Sequence, residues 1–506
     1  MNPRIARGTL VRYAEILSHT GTVGVITGVV IAFPALAALA YPGEQGVAPA
    51  FLLPGLALTG LGVGLRRVTP AAGRGALGLA DASVVVLLSW VLAVTFASVP
   101  FMWVGGLDFT EAVFEATSGW TTTGLSVIRP EAARPPILLL RSTLQLAGGA
   151  GLAILMLSAL LGPPGTGLSR AEGRGEQLVP LVSRSANLVV RIYLGYTVVG
   201  TLLLRAVGMG WFDAINHAFA AVSTGGFSTR DASIGYWDSF SVELVVILLM
   251  FLGNLSFVTA YRTLCGDWRA FTRSGEVRLF AVLGGAAVAV LLLLVGPGLP
   301  FEAPKVARVA LFEMATSLTT TGFSTVGYGQ WPAIGWWTLI LLMVVGGGTD
   351  STAGGLKQHR VYLLYRFLVF DLRRRLGPRH AANEFYLRTS GTPRFLGAQE
   401  VASAAVFVFL YVAALALGTG VLASYGFGLK ESLFEFASAL GTVGLSIGLT
   451  SADAPGGVLW AESVGMLLGR LEFYAIFVAV GAILMDLKES VARASPPFPG
   501  TAPDRA

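Results

Sequence analysis

Four short segments of the sequence carry residue types from which a pore for a monovalent cation can be built. They read TTTGLS at 121–126, STGGFS at 223–228, TTTGFS at 319–324 and GTVGLS at 441–446, and are called turns 1 to 4 here. Their glycines follow one another at intervals of roughly 100 residues, longer than the unit of a solenoid. Rings of carbonyl oxygens can replace the hydration shell of an ion, and glycine reaches the required backbone angles without steric cost. Four such turns predict loops that converge on one axis.

The composition places these turns in a membrane. Of the 506 residues, 54% are hydrophobic and 13% are charged, whereas soluble proteins carry about 25% charged residues. A helix needs about 20 apolar residues to span a bilayer. Ten predicted spans meet this length, and they are 16–41, 47–65, 80–105, 134–162, 187–209, 236–261, 276–298, 332–370, 397–424 and 457–486. The first two form a hairpin, and the other eight form four pairs that each enclose one turn.

A segment too short to span the membrane precedes each turn. These segments are 108–120, 212–222, 303–318 and 429–440, and they predict re-entrant half-helices. Three of them contain a Phe-Glu pair six or seven residues before the turn, at 114–115, 312–313 and 434–435, whereas the second has Asn216 and His217 there. Non-helical backbone at membrane depth is tolerated where protein or a water-filled cavity surrounds it. Half-helices whose C-terminal ends point at the axis would favour cations there.

The sequence therefore predicts an all-α membrane protein. Four parallel helix–half-helix–loop–helix repeats surround a central pore and follow an N-terminal two-helix hairpin. The predicted units are the hairpin 1–70, repeats 76–165, 185–264, 275–370 and 397–490, a basic connector 371–396 and a tail 491–506.

The basic residues predict the orientation. The 35 Lys and Arg and 29 Asp and Glu leave a net charge of +6, and most basic residues lie in the N-terminus, after each repeat's last helix, or in the tail. By the positive-inside rule these segments are cytoplasmic and the turns open outward. We expect a multi-pass protein of a prokaryotic plasma (inner) membrane, with a cytoplasmic N-terminus and no nucleic-acid partner. A single cysteine excludes an intramolecular disulfide.

Two further features lie at membrane depth. The span 332–370 is too long for one straight helix and contains a dense glycine cluster, where each glycine costs a helix about 1 kcal/mol relative to alanine. The cluster comprises Gly346, Gly347, Gly348, Gly354 and Gly355. Arg470 lies in the middle of the last span near Glu472, where a charge must be paired or face a water-filled cavity. A packing kink at the glycines and an acidic partner for Arg470 remain alternatives.

The turns and their flanks resemble the TrkH/KtrB/HKT superfamily of potassium transporters. Residues 117–124 (TSGWTTTG) are similar to its first filter loop, and 141–151 (RSTLQLAGGAG) to the helix that follows. Residues 346–357 (GGGTDSTAGGLK) resemble its broken helix, and 466–472 (MLLGRLE) its closing helix. The N-terminal hairpin favours the TrkH-like branch.

The resemblance implies a potassium filter with one selectivity glycine in each turn. Some sodium-preferring relatives have serine for the first glycine, and all four are glycine here. The implied K+ site consists of Thr122, Thr123, Gly124, Thr224, Gly225, Gly226, Thr320, Thr321, Gly322, Thr442, Val443 and Gly444. The valine of turn 4 departs from the family pattern and leaves that turn's side-chain contribution open.

The resemblance also implies a gate and partners. The glycine cluster with Lys357 would obstruct the pore below the filter, and Arg470 would raise the barrier to cations. A homodimer would sit on a cytosolic TrkA/KtrA-like RCK ring that binds NAD(H) or ATP/ADP, docked through basic residues at 373–379. The chain has no dinucleotide fingerprint and no catalytic motif, so we expect no cofactor in it and no enzymatic activity. Sodium- or proton-coupled symport and sodium permeation remain alternatives.

Overall fold

The computed structural model describes residues 3–68, 78–149, 151, 182–376, 386–389, 392–395 and 397–494. Within these ranges the chain is helical apart from one short hairpin of strands, which agrees with the predicted all-α membrane class. Six described helices are long and apolar enough to cross a membrane, and two sharply bent helix pairs raise the number to eight.

Glycines allow the two helices of the N-terminal hairpin to pack closely. Its helices are Pro3–Ala32, which continues after a break as Ala35–Ala40, and Pro49–Val68. A Cβ atom placed on Gly28 would lie 2.4 Å from the carbonyl oxygen of Gly55, and one on Gly55 would lie 2.6 Å from that of Gly28. Small residues allow membrane helices to approach this closely. The side chain of Arg12 connects the hairpin to Asp81, in the first helix of repeat 1, at 2.5 Å.

Each repeat contains a first helix, a half-helix, a turn and a second helix. The first helices are Leu79–Trp103, Val182–Ala206, Gly275–Val290 and Ala398–Ser424. The half-helices are Phe109–Trp120, Trp211–Val222, Ala303–Leu318 and Leu429–Leu440, so each begins within one residue of its predicted start. The second helices are Pro135–Gly149, Phe240–Asn254, Ala333–Val345 and Gly456–Arg470.

The second helices are shorter than the predicted spans. In repeat 3 the helix ends at Val345 and resumes as Gln358–Leu376, as the glycine cluster predicted. The prediction of continuous spans at 236–261 and 457–486 is wrong. Phe240–Asn254 meets Phe257–Leu264 at 109°, and Gly456–Arg470 meets Tyr474–Glu489 at 102°. Apolar residues flank both breaks on either side, and such composition indicates residence in the membrane rather than helical continuity.

The predicted connector contains a small sheet. Strands Tyr386–Thr389 and Thr392–Phe395 pair antiparallel, with Tyr386 opposite Phe395. The short helix Trp268–Thr272 follows Phe257–Leu264, and the 21-residue helix Tyr474–Ala494 follows the break in repeat 4. The predicted continuation of the span 134–162 beyond 151, the connector at 377–385 and the tail from 495 lie outside the described residues.

Large apolar side chains lie on the surface, and the polar side chains of the turns lie inside the molecule. Leu293, Phe409 and Leu417 are 73%, 72% and 73% exposed, and many other large apolar side chains join them. The threonines of the turns and the glutamates of the half-helices are instead buried. Exposed apolar side chains in such number are typical of contact with lipid, and together with the apolar spans they are those of a multi-pass membrane protein.

Candidate functional site

All four half-helices end in the same hydrogen-bonded cap. In each turn the N–H of the third residue donates to the carbonyl five residues earlier, at 2.8 to 3.0 Å, and the N–H of the second donates three residues back. This pair of bonds is the Schellman motif, in which a left-handed residue, usually glycine, follows the helix. Here that residue is threonine in every turn. The φ angles are 57° at Thr122, 52° at Thr224, 52° at Thr320 and 50° at Thr442.

A threonine in this conformation is strained. The left-handed region costs an L-residue about 1–2 kcal/mol, and a β-branched residue there is a genuine outlier. Strain of this kind persists at functional sites, where the surrounding structure over-determines it. Glycine would relieve the strain. The hydroxyls of Thr224 and Thr320 make hydrogen bonds, whereas those of Thr122 and Thr442 have no hydrogen-bond partner in the described part of the chain. The sequence predicted these threonines as site residues but carried no signal of their backbone angles.

The four turns form a closed ring. The glycine in the fourth place of each turn lies against the third-place carbonyl oxygen of the next, and φ of these glycines is 73–95°. A Cβ atom on each glycine would approach the neighbouring oxygen to 2.2 Å (Gly124 to Gly225), 2.1 Å (Gly226 to Thr321), 1.9 Å (Gly322 to Val443) and 2.1 Å (Gly444 to Thr123). The contacts therefore run from turn 1 through turns 2, 3 and 4 and back to turn 1. All twelve predicted site residues belong to this ring or to the strained caps beneath it.

The glutamates of the half-helices hold the chain that leaves the ring. Glu115, Glu313 and Glu435 are fully buried, and each accepts a bond from the backbone N–H twelve residues later. The donors are Val127 at 3.1 Å, Thr325 at 2.9 Å and Ile447 at 3.1 Å. In repeat 2, His217 lies 3.0 Å from the hydroxyl of Ser228 instead. The recurrence of Phe-Glu was visible in the sequence, but its partners are set by the returning chain and could not be read from it.

Arg141 connects the exits of turns 1 and 2. Its guanidinium donates to Glu115 at 2.7 Å, to the hydroxyl of Ser126 at 2.8 Å and to the carbonyl of Ser228 at 3.2 Å. It also stacks over the ring of Phe227 at 4.0 Å. Both members of the ion pair are at most 2% exposed, so the arginine is the central connection between two neighbouring turns.

Replacing Arg141 with methionine should destabilise the protein by about 3 kcal/mol, because removing one member of a buried ion pair leaves the other charge uncompensated. Thermal unfolding in detergent measures this effect. Arg134→Met is the control, since Arg134 is 53% exposed and 3.7 Å from its partner Glu44. Equal unfolding temperatures for the two variants would contradict the assignment.

The glycine-rich segment 346–357, called the intramembrane loop here, packs against the ring. The hydroxyl of Thr352 lies 3.1 Å from that of Thr224, and the N–H of Gly354 donates to the hydroxyl of Thr320 at 2.7 Å. A Cβ atom on Gly354 would come within 2.1 Å of the hydroxyl oxygen of Thr442. The loop thus contacts the strained threonines of three turns, and it forms hydrogen bonds with the hydroxyls of two of them, Thr224 and Thr320.

The intramembrane loop is also fastened to the break in repeat 2. Thr352 donates to the carbonyl of Gly253 through its N–H at 3.2 Å and through its hydroxyl at 2.9 Å. The N–H of Gly348 donates to the side chain of Asn254 at 3.0 Å. Within the loop, the N–H of Gly347 donates to the carbonyl of Gly354 at 3.1 Å and closes it on itself. Of the other predicted gate residues, Gly355 has φ 76°, and Lys357 donates to the carbonyl of Ala353.

Arg470 connects the intramembrane loop to repeat 1. It donates to the carbonyl of Thr352 at 2.7 Å and to that of Gly149 at 3.1 Å. A further bond reaches the carbonyl of Gly148. The nearby acid Glu472 binds Arg360. The predicted intramembrane charge therefore bridges backbone carbonyls of two repeats at the side of the loop.

The sequence is similar to those of known cation transport proteins. A family model described as TrkH, cation transport protein, matches residues 72–488. The Trk system potassium uptake protein TrkH of Halomonas elongata is 32% identical over 419 residues, which cover 79% of this chain and 84% of that protein. Its counterpart in Escherichia coli K12 is 30% identical and covers 80% and 86%. An uncharacterized cation transporter of Methanocaldococcus jannaschii is 28% identical and covers 92% and 94%.

The fold is also similar to that of a solved structure. The crystal structure of the potassium transporter TrkH from Vibrio parahaemolyticus superposes with a TM-score of 0.81 at 26% identity. The match covers 92% of this chain and 98% of that one.

Proposed function

Because this chain belongs to the TrkH family of cation transport proteins, which are transporters and not enzymes, we propose that it takes up potassium through the ring of four turns. The relatives at 30% identity or more are named as potassium uptake proteins. The observation that carries the proposal is the closed contact of each turn's glycine with the carbonyl of the next turn. Such a ring supplies only uncharged oxygens, which suit a hard monovalent cation.

The ring would act as the selectivity filter. The third-place carbonyls of Thr123, Gly225, Thr321 and Val443 are the proposed potassium ligands, together with the oxygens of the glycines and threonines beside them. All four half-helices end at the ring, so the negative ends of their dipoles add to the attraction for a cation. The valine of turn 4 contributes its carbonyl as well as any other residue would, so it leaves such a site complete.

The intramembrane loop would be the gate. It packs against the ring at three of the four strained threonines, and in this position it obstructs the path of an ion that has passed the filter. Its own hydrogen bonds run to the breaks in the second helices of repeats 2 and 4. Movement of these breaks would shift the loop, and Arg470 would hold it in place while adding a positive charge to the barrier.

Regulation would come from cytosolic partners. We infer a homodimer on a cytosolic ring of nucleotide-binding RCK subunits, with NAD(H) or ATP/ADP bound by the ring. The basic end of Gln358–Leu376, with Arg373, Arg374 and Arg375 exposed, begins one helix away from the gate and is the proposed docking site. The positive-inside rule supports a cytoplasmic N-terminus in a prokaryotic plasma (inner) membrane.

Rubidium uptake into proteoliposomes tests the proposal, with rubidium as the potassium tracer. We expect uptake that excess potassium blocks and excess sodium does not, and that rises when the cytosolic ring is added. Equal uptake of sodium would assign the protein to sodium permeation instead. Absence of rubidium uptake with and without the ring would contradict potassium transport.

A further inference from the structure

The second helices carry a matched residue near the ring in all four repeats. Three of them have a methionine three residues before the glycine that ends or breaks the helix, at Met250, Met343 and Met466. The first repeat has Gln145 at this position, three residues before Gly148. All four side chains are fully buried. A glutamine in such a place needs partners for its amide, because an unsatisfied buried polar group costs stability.

Gln145 occupies space that a neighbouring side chain leaves empty. Three turns have a β-branched residue in the third place, namely Thr123, Thr321 and Val443, whereas turn 2 has Gly225. A Cβ atom on Gly225 would lie 2.4 Å from the amide carbon of Gln145. The one turn without a third-place side chain therefore faces the one second helix that has glutamine instead of methionine.

The amide of Gln145 holds the backbone on both sides of Gly226. Its Nε2 donates to the carbonyl of Gly225, and its Oε1 accepts from the N–H of Phe227 at 3.1 Å. The Gly225 oxygen is also the one against which Gly124 of turn 1 packs. Gln145 therefore fixes turn 2 at its contact with turn 1.

The other turns have hydrogen bonds within their own repeat in place of those of the Gln145 amide. In turns 1 and 3 the first- and third-place threonine hydroxyls lie 2.8 Å apart. In turns 1 and 4 the N–H of the glycine donates to the hydroxyl of a serine six residues earlier, Ser118 or Ser438, at 3.0 Å. Repeat 2 has Ala220 in place of this serine, and its turn has no third-place side chain. Turn 2 can therefore form neither of these two hydrogen bonds.

We propose that Gln145 is a positioning residue that substitutes for the missing side chain at Gly225 and fixes Gly226 for cation selection. The inference rests on the proposed filter function and assigns a residue outside the turns to it. Gln145 and Gly225 form a compensating pair, whereas the other three matched positions carry methionine and the other three turns carry a β-branched third-place residue. Exchanging both residues together should therefore be tolerated better than exchanging either one.

The ion selectivity of single and double variants tests whether Gln145 and Gly225 compensate for each other. In proteoliposomes, Gln145→Met should raise the ratio of sodium to rubidium uptake about fivefold, since it removes both bonds to turn 2 and leaves a buried N–H unsatisfied. Gly225→Thr should also impair selectivity, because its Cβ would collide with Gln145. The double variant should return the ratio towards that of the wild type. Met250→Leu, which changes the matched residue of repeat 2 without a polar loss, should leave the ratio unchanged.

Gln145→Leu keeps nearly the same volume but can neither donate to the Gly225 carbonyl nor accept from the N–H of Phe227. It should raise the ratio as well, so the test does not depend on the folding of one variant. An unchanged ratio in Gln145→Met, or a double variant whose defect equals the product of the single defects, would overturn the proposal. Gly322→Ser is measured in parallel. If it impairs selectivity while Gln145→Met does not, only this inference fails; if neither has an effect, the filter itself is wrong.

Discussion

Serine in place of Gly322 should abolish most of the preference for rubidium over sodium. The Cβ atom that it adds would lie 1.9 Å from the carbonyl oxygen of Val443, a distance that no side chain adopts without displacing the neighbour. Here the neighbour is backbone of turn 4 and cannot rotate away. The carbonyl of a proposed ion ligand must therefore move, and the ring opens at the contact between turns 3 and 4.

The backbone angle adds to this effect. Gly322 has φ 86°, a conformation that L-residues rarely adopt. A serine at this position either keeps the strained angle, at a cost in stability, or changes the shape of the turn. A change of shape moves the carbonyl oxygens of the ring. Because a shift of about 3 kcal/mol in the difference between two ions changes selectivity more than a hundredfold, we expect the uptake ratio to fall by roughly two orders of magnitude.

Gly426→Ser is the matched control for this variant. Gly426 has φ 93° and nothing within 4 Å of an added Cβ atom, so the serine brings similar backbone strain without a collision in the ring. It should retain the wild-type ratio of rubidium to sodium uptake. A Gly322→Ser protein that is folded, active and as selective as Gly426→Ser would contradict the proposed filter.

The sequence predicted the repeats well because their signals are local. The half-helices could be placed within one residue because a short apolar segment ends directly at a Thr-Gly turn, and both features lie within about twenty residues. The break in repeat 3 was equally visible in five glycines. The breaks after Asn254 and Arg470 were missed, because apolar residues resume directly after them and no glycine or proline cluster marks them.

The functional geometry depends on contacts between repeats, and these could not be predicted. Nothing in turn 1 shows that its glycine packs on Gly225, or that the left-handed threonines contact residues of the intramembrane loop. The role of Gln145 was likewise hidden, although its departure from Met250, Met343 and Met466 was present in the sequence. Such a signal becomes readable only when the structure shows which positions of the four second helices correspond.

Arg470→Gln should raise rubidium uptake about tenfold without changing the preference for rubidium over sodium. Arg470 donates to Thr352 of the intramembrane loop and to Gly149 of repeat 1, and a hydrogen bond from a charged group contributes about 1.5–3 kcal/mol. Losing these bonds favours displacement of the loop, and losing the positive charge lowers the barrier to a cation. The proposed filter lies in the turns, so its selectivity should persist. Uptake by wild type and variant is compared in the same proteoliposomes.

Two further variants distinguish the effect of the Arg470 hydrogen bonds from the effect of its positive charge. Arg470→Lys keeps the charge, but a single ammonium group cannot span the carbonyls of Thr352 and Gly149 as the planar guanidinium does. We therefore expect it to raise uptake nearly as much as the glutamine does. Arg205→Gln removes an arginine that binds the backbone carbonyl of Met209, distant in sequence from the loop, and should leave uptake unchanged. Wild-type uptake in Arg470→Gln would show that the intramembrane loop is held by other contacts. If Arg470→Gln raises uptake and Arg470→Lys does not, the barrier is due to the positive charge rather than to the hydrogen bonds between the loop and repeat 1.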